Sequence, residues 1–279
     1  MSIIGGHMST VSGASGALIM IHRLGGSAIQ ITVGALDDRT SFQYLSVDDI
    51  TKTLNIRKKY GYYVVVHGKY IYNFCRANWQ WQTDALFREL SIASQIDADV
   101  VIHQGKNVAE LKLTDAEALD IFTQSVCSVA VRMREAGMKN RILLENSSRQ
   151  GTELGYSLEQ LATIFIKIPE DLRKYFGFCI DTCHIFVAGE ESWQEPAMFF
   201  QKFDQLIGIK NLLLVHLNDS AIPFNGRNDH HAGLGQGHIK SSYLLEVVNQ
   251  CTKLNIPMIL ETPSEGLEAE IKMIKANLL

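Results

Sequence analysis

The chemistry in this chain begins with Asn211–His238, NLLLVHLNDSAIPFNGRNDHHAGLGQGH. An apolar run ends on His216 and Asp219, and a Gly- and Asn-rich loop then delivers Asp229, His230 and His231. Imidazole nitrogen and carboxylate oxygen together form the ligand set of zinc or a similar divalent metal. A polar loop that merely hydrogen-bonds is the plainer reading of this stretch alone. Other apolar runs end in the same way. His67 closes YYVVVHG, His103 closes VVIHQG, Glu145 closes ILLEN, and Asp181 closes FCIDTCH with His184 just beyond; Glu261 follows in MILETP. One such histidine is more often a core or loop residue than a ligand, but six successive runs ending on ligand types argue for a common site. With Asp229 and His231 the set is five His, two Asp and two Glu. One zinc takes about three or four ligands, so this set suits two or three ions, with Glu145 and Glu261 available as bridging or second-metal carboxylates.

Those residues can meet only if the runs that carry them lie side by side. Eight short runs read as strands: Ile3–Met8, Ala28–Val33, Tyr62–Gly68, Val100–Gly105, Ile142–Asn146, Gly177–Asp181, Leu212–Asp219 and Met258–Thr262. They lack clean polar alternation, as parallel strands covered on both faces do. Helical spacing occurs over Trp81–Gln95, Thr114–Ala136, Ser157–Ile168, Ser241–Leu254 and Glu265–Leu279, with Thr114 and Glu117 at capping-box spacing and Ser157 as an N-cap. The alternation predicts an α/β fold, a single (β/α)8 barrel domain over residues 1–279 whose strand C-termini form one mouth. A doubly wound open sheet is disfavoured, since no GxGxxG turn follows a strand.

Composition sets outer limits. The 279 residues are 46% hydrophobic, enough for a large core, and no apolar run reaches the ~18 residues of a membrane span. MSIIGGHMST lacks the basic and long apolar regions of a secretory signal, and five sparse cysteines suit a reducing compartment. We therefore expect an intracellular protein, cytoplasmic or in the nucleoid or nucleus, with no membrane partner. The net charge of −4 argues against coating nucleic acid by bulk electrostatics, though not against a local grip on phosphate.

At this level of detail the chain resembles a known family, the zinc-dependent apurinic/apyrimidinic endonucleases of the endonuclease IV type. The likeness covers essentially the whole length. GGHMSTVSGA resembles the family's opening strand and loop, and LLENSSRQGTELGYSLEQLA its Glu-containing segment. FGFCIDTCHIFVAG and HLNDSAIPFNGRNDHHAGLGQGHI are similar to two later signatures, and PMILETP to the final strand. The resemblance implies three zinc ions per chain. His67, His103 and Glu145 would hold the first. Glu145 would bridge to the second, which also takes Asp181, His216 and Glu261, and His184, Asp229 and His231 would hold the third. It implies hydrolysis, on double-stranded DNA, of the phosphodiester 5′ to an abasic site, leaving a 3′-hydroxyl and a 5′-deoxyribose phosphate. Removal of 3′ blocking groups and a monomeric enzyme are also implied, with Glu145 and Glu261 as catalytic carboxylates. A sugar isomerase or epimerase on the same barrel is the alternative. It would use one metal on Glu145, Asp181, His216 and Glu261, leaving the other five ligands unexplained.

The departures fall mainly where DNA would be gripped. His230 stands where the family usually has Arg, and Ser148 and Arg149 stand where small residues are usual. After the second strand the family's basic probing loop is replaced by VGALDDRT, with Arg39 as its basic contact beside Asp37 and Asp38. Tyr70 and Asn73 in HGKYIYN match the minor-groove loop, so both are expected to touch DNA.

Overall fold

Runs of consecutive aliphatic residues make strands covered on both faces, and the alternation of Cβ directions decides which residues turn inward. The structure, a computed structural model, describes residues 2–77, 80–263 and 265–276. The strands are β1 (Ile4–His7), β2 (Ala28–Ile31), β3 (Tyr63–His67), β4 (Asp99–Ile102), β5 (Ile142–Glu145), β6 (Phe176–Asp181) and β7 (Leu212–His216). A short antiparallel ladder, β8 (Asp219–Ser220) with β9 (His231–Ala232), precedes β10 (Met258–Leu260). All but the ladder are parallel and close in the order β1-β10-β7-β6-β5-β4-β3-β2. The expected (β/α)8 barrel is the fold. Gly5 is required where β1 meets β2, since a Cβ there would lie 1.6 Å from the Ala28 carbonyl oxygen.

The helices are α1 (Gly13–Arg23), α2 (Val47–Tyr60), α3 (Gln80–Ser94), α4 (Asp115–Glu135), α5 (Leu158–Lys167), α6 (Thr182–Ala188), α7 (Pro196–Leu206), α8 (Ser241–Leu254) and α9 (Leu267–Lys275). Thr114 and Glu117 form the reciprocal capping box and Ser157 caps α5, as their spacing predicted. The expected last helix, 265–279, is shorter, and its residues 277–279 lie outside the described residues. Helices α1, α2, α6 and α7 were not legible in the sequence. The run expected to be a strand through Asp219 ends at His216, and Asp219 starts the ladder instead. Those expected through Val33 and Gly105 end at Ile31 and Ile102. In each case the barrel pairing stops at the mouth and the backbone turns outward into a loop.

Two apolar layers result. One lies between the helices and the outer barrel wall and takes Val64, Val66, Val100, Ile102, Ile142, Leu144, Phe178 and Ile180. The other fills the barrel: Ala28, Val65, Val101, Leu143, Cys179, Leu214 and Ile259, one from each of seven strands. This inner layer is the floor of the site.

Candidate metal centre

A residue two positions further along a strand points the same way. Two positions above Gly5 and the seven floor residues stand His7, Gln30, His67, His103, Glu145, Asp181, His216 and Glu261. Every residue of this next inward ring is polar, because here the barrel stops being a packed core and becomes a site. His184 joins from the first turn of α6, whose N-terminus Asp181 caps through the His184 N–H at 2.8 Å. Asp229 arrives on the loop between β8 and β9, and His231 opens β9. Asp219 holds the segment that follows β9: its buried carboxylate accepts from the N–H groups of Gly235, Gly237 and Ile239 at 2.9–3.0 Å.

The nine predicted ligands converge in three groups, each with donor atoms within 4.8 Å of one another: His67, His103 and Glu145; Glu145, Asp181, His216 and Glu261; His184, Asp229 and His231. Glu145 belongs to the first two. Its Oε2 lies 3.4 Å from Nε2 of both His67 and His103, and its Oε1 lies 2.9 Å from His216 Nδ1. His216 Nδ1 is also 3.3 Å from Glu261 Oε2. In the third group Asp229 lies 3.1 Å from His184 Nε2 and 3.2 Å from His231 Nε2.

Neighbouring acceptors decide which ring nitrogen can serve as a ligand. His67 Nδ1 faces the Gly68 carbonyl at 2.8 Å and His184 Nδ1 faces that of Asn146 at 3.0 Å, so each donates there and keeps Nε2 for the cavity. His216 is reversed by Gln30. The Gln30 amide nitrogen donates to the Glu261 carboxylate at 2.6 Å, and a carboxylate can only accept. Gln30 Oε1 is therefore left to accept from His216 Nε2 at 2.8 Å, and Nδ1 faces the carboxylates. Neither Gln30 nor His7, whose ring lies 3.2 Å from the same amide, was identified from the sequence. The two-residue step above the apolar floor was the signal that would have found them.

The electrostatics suit a cation. Burial alone would raise the Glu145 carboxyl, but the His216 and His103 rings hold it well below the usual carboxylate range. Burial would lower the imidazoles; instead Asp181 and then Asp229 hold His184 well above its ordinary value, and Asp229 and Asp181 push His231 up to about 9. These rings carry protons that a metal would displace. Three buried atoms of these groups are placed as donors to a metal. Glu145 Oε2, His184 Nε2 and His231 Nε2 are buried without a hydrogen-bond partner, although each has an opposite charge within 3.4 Å. They approach their neighbours closely but out of line, as donors aimed at one common point would. Cys179 and Cys183 also come within reach of the ligands, and burial pushes both thiols up to about 12, so both are protonated in the metal-free chain.

Residues 19–277 match the family model for the xylose isomerase-like TIM barrel. A protein of Chloroflexus aurantiacus named "Probable endonuclease 4" is 31% identical over 282 residues, covering 98% of this chain and 95% of its own. Another of that name, from Carboxydothermus hydrogenoformans, is 32% identical over 229 residues, covering 80% and 77%. The crystal structure of endonuclease IV from Thermus thermophilus superposes with a TM-score of 0.83 at 26% identity, covering 98% of this chain and 97% of that one. The chain belongs to the endonuclease IV family. Membership places it among nuclease-type hydrolases, and the His, Asp and Glu groups at its mouth are metal-capable. Among the described residues no helix is long and apolar enough to cross a membrane.

The three residues expected at DNA sit differently in this endonuclease IV relative. Tyr70 lies on the rim of a cavity of about 430 Å³ over the metal-capable groups, 58% exposed, with its ring edge-on to His67 at 5.0 Å. Asn73 lines the same cavity, but its side chain is engaged with backbone: Nδ2 donates to the Lys106 carbonyl, and Oδ1 accepts from the N–H groups of Lys106 and Cys75. Arg39 does not line the cavity. It is exposed on the loop after β2 and has no hydrogen bond or ion pair among the described residues. That loop is clamped from beneath by Lys69, which donates to the carbonyls of Ala35 at 2.8 Å and Ser41 at 2.7 Å and lies 4.6 Å over the Phe42 ring. Asp38 turns back to accept from the Thr40 N–H and hydroxyl at 2.8 and 2.7 Å.

Proposed function

We propose that this protein is a DNA-repair endonuclease that hydrolyses the phosphodiester 5′ to abasic sites in double-stranded DNA, yielding a 3′-hydroxyl and a 5′-deoxyribose phosphate. On this reading it also removes 3′ blocking groups, holds three zinc ions and acts as an intracellular monomer. One observation carries it: the nine ligand-type side chains fall into three groups, the first two sharing Glu145. His67, His103 and Glu145 would hold one zinc; Glu145, Asp181, His216 and Glu261 a second; His184, Asp229 and His231 a third. Zinc held there would lower the pKa of a coordinated water to ~7 and would stabilise charge on a phosphate's leaving oxygen.

The chain's own contribution is position. Glu145 ties two groups together, while Glu261, held by Gln30 and by the Asn218 amide at 3.1 Å, lies 3.3 Å from His216 Nδ1. Tyr70 stands where it can fill the gap left by a missing base, and extruding a nucleotide costs least where no base must be unstacked. A single-metal sugar isomerase would need only the group of four around His216 and leaves the histidines of the other two without a purpose.

The test is a duplex with one abasic site and a 5′ label. We expect a single cut whose 3′ end a polymerase extends directly, loss of activity on chelation, recovery with zinc, and no cutting of intact duplex. Cutting on the 3′ side of the lesion, or activity that survives chelation, would overturn the proposal.

A further inference from the structure

A site that receives a phosphodiester needs permanent positive charge at its rim as well as metals at its base, and the loop after β2 supplies little. Its Arg39 stands off the cavity between two aspartates and Thr40. The cavity lining itself, among the described residues, carries four carboxylates (Glu145, Glu153, Asp229 and Glu261) and one lysine or arginine, Lys106. Nothing in the sequence reading singled this lysine out.

Its placement differs from that of a stray surface lysine. Lys106 follows β4 by four residues, and the Asn73 side chain binds its backbone on both sides, accepting from its N–H at 3.1 Å and donating to its carbonyl at 3.0 Å. An antiparallel bridge then joins it to Glu153 on the loop after β5. Three loops of the mouth thus fix the Cα of one lysine. Its side chain stays 51% exposed, and its ammonium meets the Glu153 carboxylate at 3.5 Å. So long and exposed an ion pair adds little stability and leaves the ammonium able to donate elsewhere. Glu153 is otherwise engaged: its Oε2 accepts from Ser148 Oγ and the Gln150 N–H, both at 3.0 Å.

We propose that Lys106, set at the rim by Asn73 and Glu153, is a DNA-phosphate contact of this enzyme and supplies the local cation that the acidic loop after β2 lacks. The proposal rests on the reading of the substrate as duplex DNA. It gives Asn73 a part in DNA binding through the lysine whose backbone it holds. It also makes Glu153 a competitor that an arriving phosphate must displace.

The experiment measures binding of an abasic duplex by zinc-loaded wild type, Lys106→Gln, Lys106→Arg and Glu153→Gln across a salt series. One lost phosphate contact should flatten the log–log salt slope by about 0.9 and weaken binding about tenfold at 50 mM salt. We expect that for Lys106→Gln, with KM raised, kcat near wild type and zinc content unchanged. Lys106→Arg should keep the wild-type slope, and Glu153→Gln should bind tighter at low salt. An unchanged slope in Lys106→Gln, or a loss of zinc or melting temperature in it, would overturn the assignment, the latter by making Lys106 a structural residue. Should the wild type itself fail to bind the duplex, the substrate reading falls first and this contact with it.

Discussion

At the scale of single residues the site is governed by which nitrogen of each histidine is free. Gly68 and Asn146 offer carbonyls that settle this for His67 and His184, and Gln30 settles it for His216 through an amide locked by Glu261. Outer partners of this kind are worth about 10- to 100-fold in metal affinity. Gln30→Leu should therefore keep the barrel folded but weaken zinc at the His216 group by about that factor, read by competition with a chromophoric chelator. Equal zinc affinity in variant and wild type would contradict the role given to Gln30. The nine ligand types were legible in the sequence because they end strands or crowd one loop. Gln30 and His7 were not, because glutamine is rarely a ligand and Gly5, two before His7, leaves no inward side chain to mark the register.

Elements set the loops around that ring, and here the sequence was less informative. Helix α1 opens on Gly, Ala and Ser, and Ser12 makes no cap bond; its first N–H groups are instead satisfied by Asp49 of α2, at 2.9 and 3.0 Å. A cap borrowed from another helix leaves no local signal. Helix α2 buries only Thr53 among its residues, so it shows little apolar periodicity. The loop after β3 rests on α3 through Tyr72, whose hydroxyl donates to the buried Glu89 carboxylate at 2.7 Å. Burial pushes Glu89 from 4.5 up to about 7, against the pull of Tyr72. A raised carboxyl holds its proton more tightly when folded, so its effect on stability is harmless below pH 4.5 and grows to a loss of about 3 kcal/mol as pH rises through 7. Glu89→Gln should thus match wild type in melting temperature near pH 4.5 and exceed it above pH 7, at fixed zinc. A difference that ignores pH would contradict this. On the same loop, Tyr70→Ala should weaken abasic-duplex binding by about ten- to a hundredfold, the worth of one stacking contact. Zinc content should not move, and release of a terminal 3′-phosphate should suffer much less; equal loss in both reactions would make Tyr70 a support of the metal groups.

For the molecule as a whole, one change of layer explains the design. Aliphatic side chains fill the barrel up to Val65, Val101, Leu143, Leu214 and Ile259, and two residues later every strand delivers a polar group. That ring, with His184, Asp229 and His231 leaning over it, concentrates acids and imidazoles at one end of a chain whose net charge is only −4. On the proposed reading metal neutralises this cluster, and Glu261→Gln, which removes a carboxylate from the His216 group, should lower cleavage by orders of magnitude with little change in melting temperature. The most direct test of this account is a metal count: zinc per chain by mass spectrometry on protein whose cleavage of an abasic duplex is measured in the same preparation. We predict three per chain at full activity; full activity with one metal, or with none, would contradict it.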